Sequence, residues 1–196
     1  MSEQNKKYFE ANILFSAFKA PFDVGALCSS SSFLASSIVD ISELKSNENI
    51  VELGAGTGVI TCEIIARLPP NCSFTSVEKN PLLARVTKNR FKNEVDIIAA
   101  DIRDIEQGRL GSIDCLVSSL PMTLWKTELQ KDVISSIFSH MSDNGRMIFF
   151  SYVTSNIFGR KKMLMENLLK HFSQINEHQV VWRNTPPARI YVCTNS

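Results

Sequence analysis

A chain of 196 residues, 44% of them hydrophobic, is enough for one domain with a buried core and too apolar for disorder. The formal net charge of +1 does not by itself point to a polyanionic partner. The five cysteines are scattered and never form a C-x-x-C pair, and the three histidines are not spaced with them as ligands. This argues against a zinc site and for reduced cytosolic thiols, mostly small core fillers.

From the N-terminus, MSEQNKKYFEANILFSAFKAPF lacks a clean apolar signal-peptide core, and no apolar stretch is long enough to span a bilayer. Residues 6–20 mix Lys6, Lys7 and Lys19 with Tyr8, Phe9, Ile13, Leu14, Phe15 and Phe18. That pattern suits the interface of a bilayer. Residues 1–42 are therefore expected to form amphipathic helices that contact a membrane and cover the site, with the main domain at 43–196. The expected location is cytoplasmic, peripheral to the inner face of a membrane.

Strand-like and helix-like segments then alternate. NIVEL at 49–53 reads as a buried strand, followed by a helix from about Gly58 to Leu68 that Pro69-Pro70 stops. Residues 73–78 make a second strand. Asn80-Pro81 supplies a helix cap and a proline at the first helical position. Residues 94–99 and 113–119 give two more strands. Thr127 to Met141 reads as a helix opened by a capping box, Thr127 with Gln130. Asp143-Asn144-Gly145 reads as a turn before a fifth strand, RMIFFSYV. A basic amphipathic helix over 159–172 and strands near 174–182 and 188–194 close the chain. This order predicts an α/β fold: a seven-stranded, mostly parallel sheet with helices on both faces. The last two strands lie too close for a helical crossover, so one must run antiparallel. From Arg160 onward six Lys/Arg face two Glu, giving +4, while the rest of the chain sums to −3. A basic final third suits an anionic surface.

The stretch VELGAGTGVIT at 51–61 carries the chemistry. In open α/β sheets, ligands sit beyond the carboxyl ends of the strands. Gly54-Ala55-Gly56-Thr57-Gly58 follows the first strand, and its glycines permit a tight turn and close backbone approach. The third glycine comes one residue too early for the dinucleotide fingerprint, and no Walker loop follows. Glu52 would repel a pyrophosphate and favour a cationic α-amino group. Glu78, ending the second strand, suits the two hydroxyls of a ribose. Asp101, after the third strand, suits an adenine amino group. A ligand with all three groups and no phosphate is S-adenosylmethionine.

Residues 51–58, 76–79 and 100–104 resemble the successive motifs of class I S-adenosylmethionine-dependent methyltransferases. The resemblance implies cofactor contacts at Glu52, Gly54, Ala55, Gly56, Thr57, Gly58, Glu78, Lys79, Asp101, Ile102 and Ser118, and no metal. The fourth strand ends in Ser118-Ser119-Leu120-Pro121, in the place where amino-group methyltransferases hold the target nitrogen. It departs from the Asn-Leu-Pro-Tyr of ribosomal RNA adenine dimethylases, with Ser119 for Asn and Met122 for Tyr.

Three further stretches, GALCSSSSFLASSI at 25–38, FFSYV at 149–153 and WRNTPPARIY at 182–191, resemble bacterial phospholipid N-methyltransferases, with Ser29 where that family usually has proline. That resemblance implies methylation of the amine of phosphatidylethanolamine towards phosphatidylcholine at a membrane surface. Ser118, Ser119 and Leu120, through their carbonyls, and Tyr152 are the candidates to hold the acceptor amine, while Arg183 and Arg189 could meet the lipid phosphate or equally be surface residues. Trp125 is a weaker candidate, and Asn184 reads as a turn residue. Two other readings stay open: RNA adenine N6-methylation, and a membrane-associated protein that binds S-adenosylmethionine without turnover.

Overall fold

The structure, a computed structural model, describes residues 31–92, 94–155 and 159–195. The stretch 6–20 read as a membrane contact lies outside the described residues, as do Cys28 and Ser29.

Helix α1 (Ser32–Ser42) opens at Ser31, whose hydroxyl accepts the amide of Leu34 at 3.2 Å. Strand β1 (Asn49–Leu53) leads through the glycine loop to helix α2 (Val59–Ala66). Strand β2 (Ser73–Val77) precedes helix α3 (Pro81–Phe91). The predicted cap is present there: the Asn80 side chain accepts the amides of Leu82 and Leu83, and Pro81 occupies the first turn. Strands β3 (Asp96–Ile98) and β4 (Ile113–Ser118) follow, then helix α4 (Thr127–Phe138), strand β5 (Met141–Tyr152), helix α5 (Arg160–Leu168) and strands β6 (Gln174–Val181) and β7 (Ala188–Thr194).

The seven strands lie in the order β3-β2-β1-β4-β5-β7-β6. The pairs from β3 to β5 are parallel, and β7 runs antiparallel to both β5 and β6. The chain moves outward from β1 to β3, then returns to the other side of β1 with β4. The connections therefore diverge above β1 and β4, opening a crevice at their carboxyl ends. Both faces of the central strands are buried, as helices on each side require. Ile50, Val117 and Ile148 pack against Leu34, Ile38, Ile60 and Ile64 from α1 and α2. Val51, Leu53, Leu116 and Phe149 pack against Val133, Ile137, Leu164 and Leu168 from α4 and α5.

Two local expectations are corrected. Lys126 takes the cap position of α4 and makes no side-chain cap bond. Gln130 turns inward instead, wholly buried, and donates to the carbonyls of Met122, Arg160 and Trp125 at 2.9, 3.2 and 3.4 Å. Competition from those buried carbonyls outweighs a solvent-exposed capping box. Asp143-Asn144-Gly145 does not separate two elements but lies within β5. Ile113 pairs with Met141 and Cys115 with Arg146, so the three residues are accommodated as an irregularity in the ladder. Of the cysteines, Cys115 and Cys193 are buried core fillers, whereas Cys62 is exposed on α2.

Candidate active site

A cavity of about 710 Å³ lies at the carboxyl ends of β1, β2, β4 and β5. That is within the range of small-molecule sites, roughly 300–1,000 Å³. One wall is the glycine loop, which must turn sharply where β1 leaves the sheet. Gly54 and Gly56 have φ of +85° and +53°, conformations that a side chain disfavours. A Cβ on Gly54 would lie 3.4 Å from the Leu120 side chain, so the loop after β1 touches the loop after β4. The amide of Ser119 donates to the carbonyl of Leu53 at 2.9 Å, which fixes that contact.

Glu78 occupies the end of β2. It is buried apart from the part that lines the cavity. One carboxylate oxygen accepts the Gly56 amide at 2.9 Å and the other the Asn80 amide at 2.8 Å. Each oxygen keeps a lone pair for a further donor. The loop is also tied to α3, with Thr87 Oγ1 donating to the Gly56 carbonyl at 3.1 Å and Arg90 to the Thr57 carbonyl at 2.9 Å.

Asp101 lies after β3 with its side chain largely covered. It accepts from the amide and guanidinium of Arg103 and pairs with Lys79 at 3.0 Å. The hydrogen bonds from Arg103 hold its carboxyl well below the usual carboxylate range, against the opposing effect of burial. Ile102 supplies an apolar surface beside it.

The opposite wall is apolar. Leu124, Trp125, Leu129, Val133 and Phe150 line it, together with Ser119, Leu120, Ser151 and Tyr152. Leu120 and Met122 form a tight turn, with the Met122 amide donating to the Leu120 carbonyl at 2.8 Å. Burial raises the Tyr152 phenol above its ordinary value.

Gly54, Ala55, Gly56, Thr57, Glu78, Lys79, Asp101, Ile102, Ser119, Leu120 and Tyr152 therefore meet around one cavity. Five predicted site residues do not. Glu52 is wholly buried behind the loop, on the α2 side of the sheet, because the strand period of two turns it away from Leu53 and the cavity. One oxygen of its carboxylate accepts from Thr61 at 2.6 Å and Ser76 at 2.7 Å, and the residue does not line the cavity. Burial pushes its pKa up to about 7, against those two hydrogen bonds. Gly58 faces α3, where an added Cβ would lie 2.5 Å from the Phe91 ring. Ser118 is buried and its hydroxyl accepts the Leu120 amide at 3.3 Å, supporting the turn from behind. Arg189 pairs across the strand ladder with Glu177 at 2.5 Å. Arg183 stacks on Phe33, 3.8 Å from the ring centre. Neither arginine lines the cavity.

Ser151 and Gln130 are the residues that sequence reasoning missed. A serine inside the apolar run FFSYV was the available signal for the first. Gln130 carried a signal that pointed to a cap instead.

The residues present fit S-adenosylmethionine on geometric grounds. A carboxylate with spare lone pairs suits the ribose diol, a bare positive-φ loop permits close approach, and Ile102 offers an apolar face. Among the described residues no group of three or more His, Cys, Asp or Glu is placed to hold a metal ion.

The ribosomal RNA adenine dimethylase family model matches residues 27–168. An ornithine lipid N-methyltransferase of Singulisphaera acidiphila is 29% identical over 182 residues, covering 90% of this chain and 91% of that protein. A ribosomal RNA small subunit methyltransferase A of Chlorobium limicola is 42% identical over 69 residues, which cover 35% of this chain and only 25% of that protein. The solved N-methyltransferase NodS from Bradyrhizobium japonicum, in complex with S-adenosyl-L-homocysteine, superimposes with a TM-score of 0.64 at 16% identity. It covers 93% of this chain and 97% of its own, and supports the fold. With the family model spanning most of the chain and the cofactor's cradle in place, this protein belongs to the ribosomal RNA adenine dimethylase family and is a class I S-adenosylmethionine-dependent methyltransferase.

Proposed function

We propose that the chain methylates the amine headgroup of a membrane lipid, phosphatidylethanolamine, towards phosphatidylcholine. The observation that carries this reading is the coincidence of an apolar acceptor wall with an apolar rim at the same end of the sheet. Trp182 is 73% exposed at the β6–β7 turn, and Phe33, Leu124 and Val153 are exposed near it or at the cavity. The register of Tyr152 with Ala188 places that turn at the carboxyl end of β5, and Asn184 ties it to Ser31 at the start of α1. Exposed aromatic and aliphatic side chains beside cations suit a bilayer interface. Arg183 then meets lipid phosphate at the rim and not in the cavity. The ornithine lipid enzyme, matched over nearly its whole length, supports a lipid amine as acceptor.

S-adenosylmethionine supplies an electrophilic methyl group when bound. Glu78 would hold its ribose, the Gly54–Thr57 backbone would approach its methionyl part, and Asp101 with Ile102 would flank its adenine. The Ser119–Leu120 turn and Tyr152 would frame the acceptor nitrogen. A primary amine has a pKa of about 10 in water and must lose a proton before it attacks. Leu124, Leu129, Val133 and Phe150 disfavour a buried ammonium, so the apolar wall itself favours the neutral amine. The ammonium gives up its proton to bulk water before the headgroup enters, and alignment and exclusion of water then do most of the catalysis, with no side chain required as base.

A second reading, RNA adenine N6-methylation, is favoured by the family match, and Trp125, Phe150 and Tyr152 are rings on which a base could stack. Against it, Met122 replaces the expected tyrosine and is buried. Transfer of labelled methyl groups to phosphatidylethanolamine vesicles, ornithine lipid vesicles and structured ribosomal RNA separates the readings. Labelling of phosphatidylethanolamine supports the first, and labelling of RNA alone overturns it.

A further inference from the structure

Six buried side-chain polar atoms among the described residues have no hydrogen-bond partner: Glu52 Oε1, Gln130 Oε1, His140 Nδ1, Ser151 Oγ, Asn167 Nδ2 and Tyr191 Oη. Buried polar groups are normally paired, so each calls for a reason. Of these residues, Ser151 alone lines the cavity. It sits near the carboxyl end of β5, opposite Arg189 of β7, and is only 3% exposed. The strand holds it rigidly, and its neighbours Phe150 and Tyr152 line the same cavity. The acids on the cofactor side each have protein partners, Glu78 with Gly56 and Asn80 and Asp101 with Lys79 and Arg103, and their remaining lone pairs face the cofactor. On the apolar wall a hydroxyl without a protein partner is therefore a polar atom set aside for the acceptor.

We infer that Ser151 Oγ is the hydrogen-bond acceptor for an N–H of the substrate amine, and so decides how strongly each successive methylation is catalysed. This rests on the lipid-amine reading above. The reasoning is a count of protons. A neutral primary amine has two N–H groups, and its lone pair must stay free to point at the methyl donor. One N–H donated to Ser151 fixes the nitrogen and leaves that lone pair unengaged. After one methylation a single N–H remains, and the same contact is still available. After two, the neutral tertiary amine has no N–H, and Ser151 has nothing to accept. The hydroxyl thus favours the first two transfers and gives nothing to the third. Among the unpaired buried polar atoms, Ser151 Oγ is the one placed at the cavity to act in this way.

The test uses Ser151→Ala in the full chain, with vesicles containing phosphatidylethanolamine, its monomethyl or its dimethyl derivative. Loss of one neutral hydrogen bond predicts about a five- to tenfold fall in kcat/KM for the first two substrates. No change is expected for the dimethyl lipid. Affinity for S-adenosylhomocysteine, read by calorimetry, should hold steady. The melting temperature should stay level or rise, because removing an unpaired buried hydroxyl relieves a cost. Ser151→Thr keeps the oxygen and should retain the dependence on methylation state. An equal fall for all three lipids, or none, overturns the role of Ser151 while leaving lipid methylation intact. A wild-type protein that methylates none of the three overturns the lipid reading and this inference together.

Discussion

The backbone amide of Gly56 donates to the side chain of Glu78 over 2.9 Å, linking the loop after β1 to the end of β2. One carboxylate thus shapes the glycine loop and presents its remaining lone pairs to the cavity. A cofactor that bridges the two strand ends finds the loop already in position, so little ordering is left for binding to accomplish.

Replacing Glu78 with Ala removes both roles. Hydrogen bonds to charged groups contribute about 1.5–3 kcal/mol each, so affinity for S-adenosylhomocysteine should fall roughly 10- to 100-fold. Calorimetry checks this, and an unchanged affinity would remove Glu78 from the cofactor site.

Glu52 makes stability depend on pH. Its pKa rises from an ordinary 4.5 to about 7, with burial the main cause and the nearby Glu78 charge adding to it. Between those values the folded protein keeps a proton that the unfolded chain has lost. Stability is therefore full below about pH 4.5 and falls as pH rises through 7, by an amount on the order of 3 kcal/mol. Glu52→Gln should flatten the fall in melting temperature between pH 5 and pH 8. A wild-type melting temperature that instead rises over that range would contradict the protonated, buried acid.

Gly58 is a structural requirement. Its φ is +79°, and a Cβ would lie 2.5 Å from the Phe91 ring. Gly58→Ala should cost about 1–3 kcal/mol through backbone strain, with further loss from displacing Phe91. Thermal melts should drop by several degrees, at roughly 2–4 °C per kcal/mol for a chain of this size. Gly108, whose added Cβ would meet nothing within 4 Å but whose φ is also positive, is the control that isolates the backbone contribution.

Gln130 secures the loop after β4 through its donation to Met122 and joins it to the start of α5 through Arg160. Gln130→Leu removes the side-chain donor from those carbonyls, although that of Met122 still accepts the Trp125 amide at 3.2 Å, so the cost is about 0.5–1.5 kcal/mol for a lost neutral hydrogen bond. The melting temperature and the rate of transfer should both fall, while affinity for S-adenosylhomocysteine stays near that of the native protein. Equal losses in both would place Gln130 in cofactor binding instead.

Trp182 and Trp125 are the two tryptophans of the chain. In a Trp125→Phe background, Trp182 emission should shift to the blue on adding anionic vesicles, and Trp182→Ala should weaken vesicle sedimentation. Emission that stays unchanged in vesicles that the protein methylates would move membrane contact away from this rim.

The strands and the glycine loop were legible because they are local. NIVEL places Ile50, Val51 and Leu53 on the two covered faces, and Asn80-Pro81 is a cap that a short stretch can specify. Glu78 and Asp101 were also readable, since each follows a strand by a fixed step. The misreadings arose where a second partner decided the outcome. Glu52 is adjacent in sequence to cavity residues, yet the strand period sends its side chain to the opposite face. Thr127 and Gln130 match a capping box, but buried carbonyls from Met122 and Arg160 claim the glutamine. Arg189 is drawn to Glu177 on the neighbouring strand.

By itself, then, the sequence determined the α/β order, the sharp turn after β1 and the acids at the strand ends. These depend on residue type and on spacing along one segment. Only the tertiary structure decided which face each side chain takes, which acid is sealed away and which hydroxyl is left unpaired beside the apolar wall. Those outcomes depend on partners brought from elsewhere in the chain, and on whether a buried polar atom finds one.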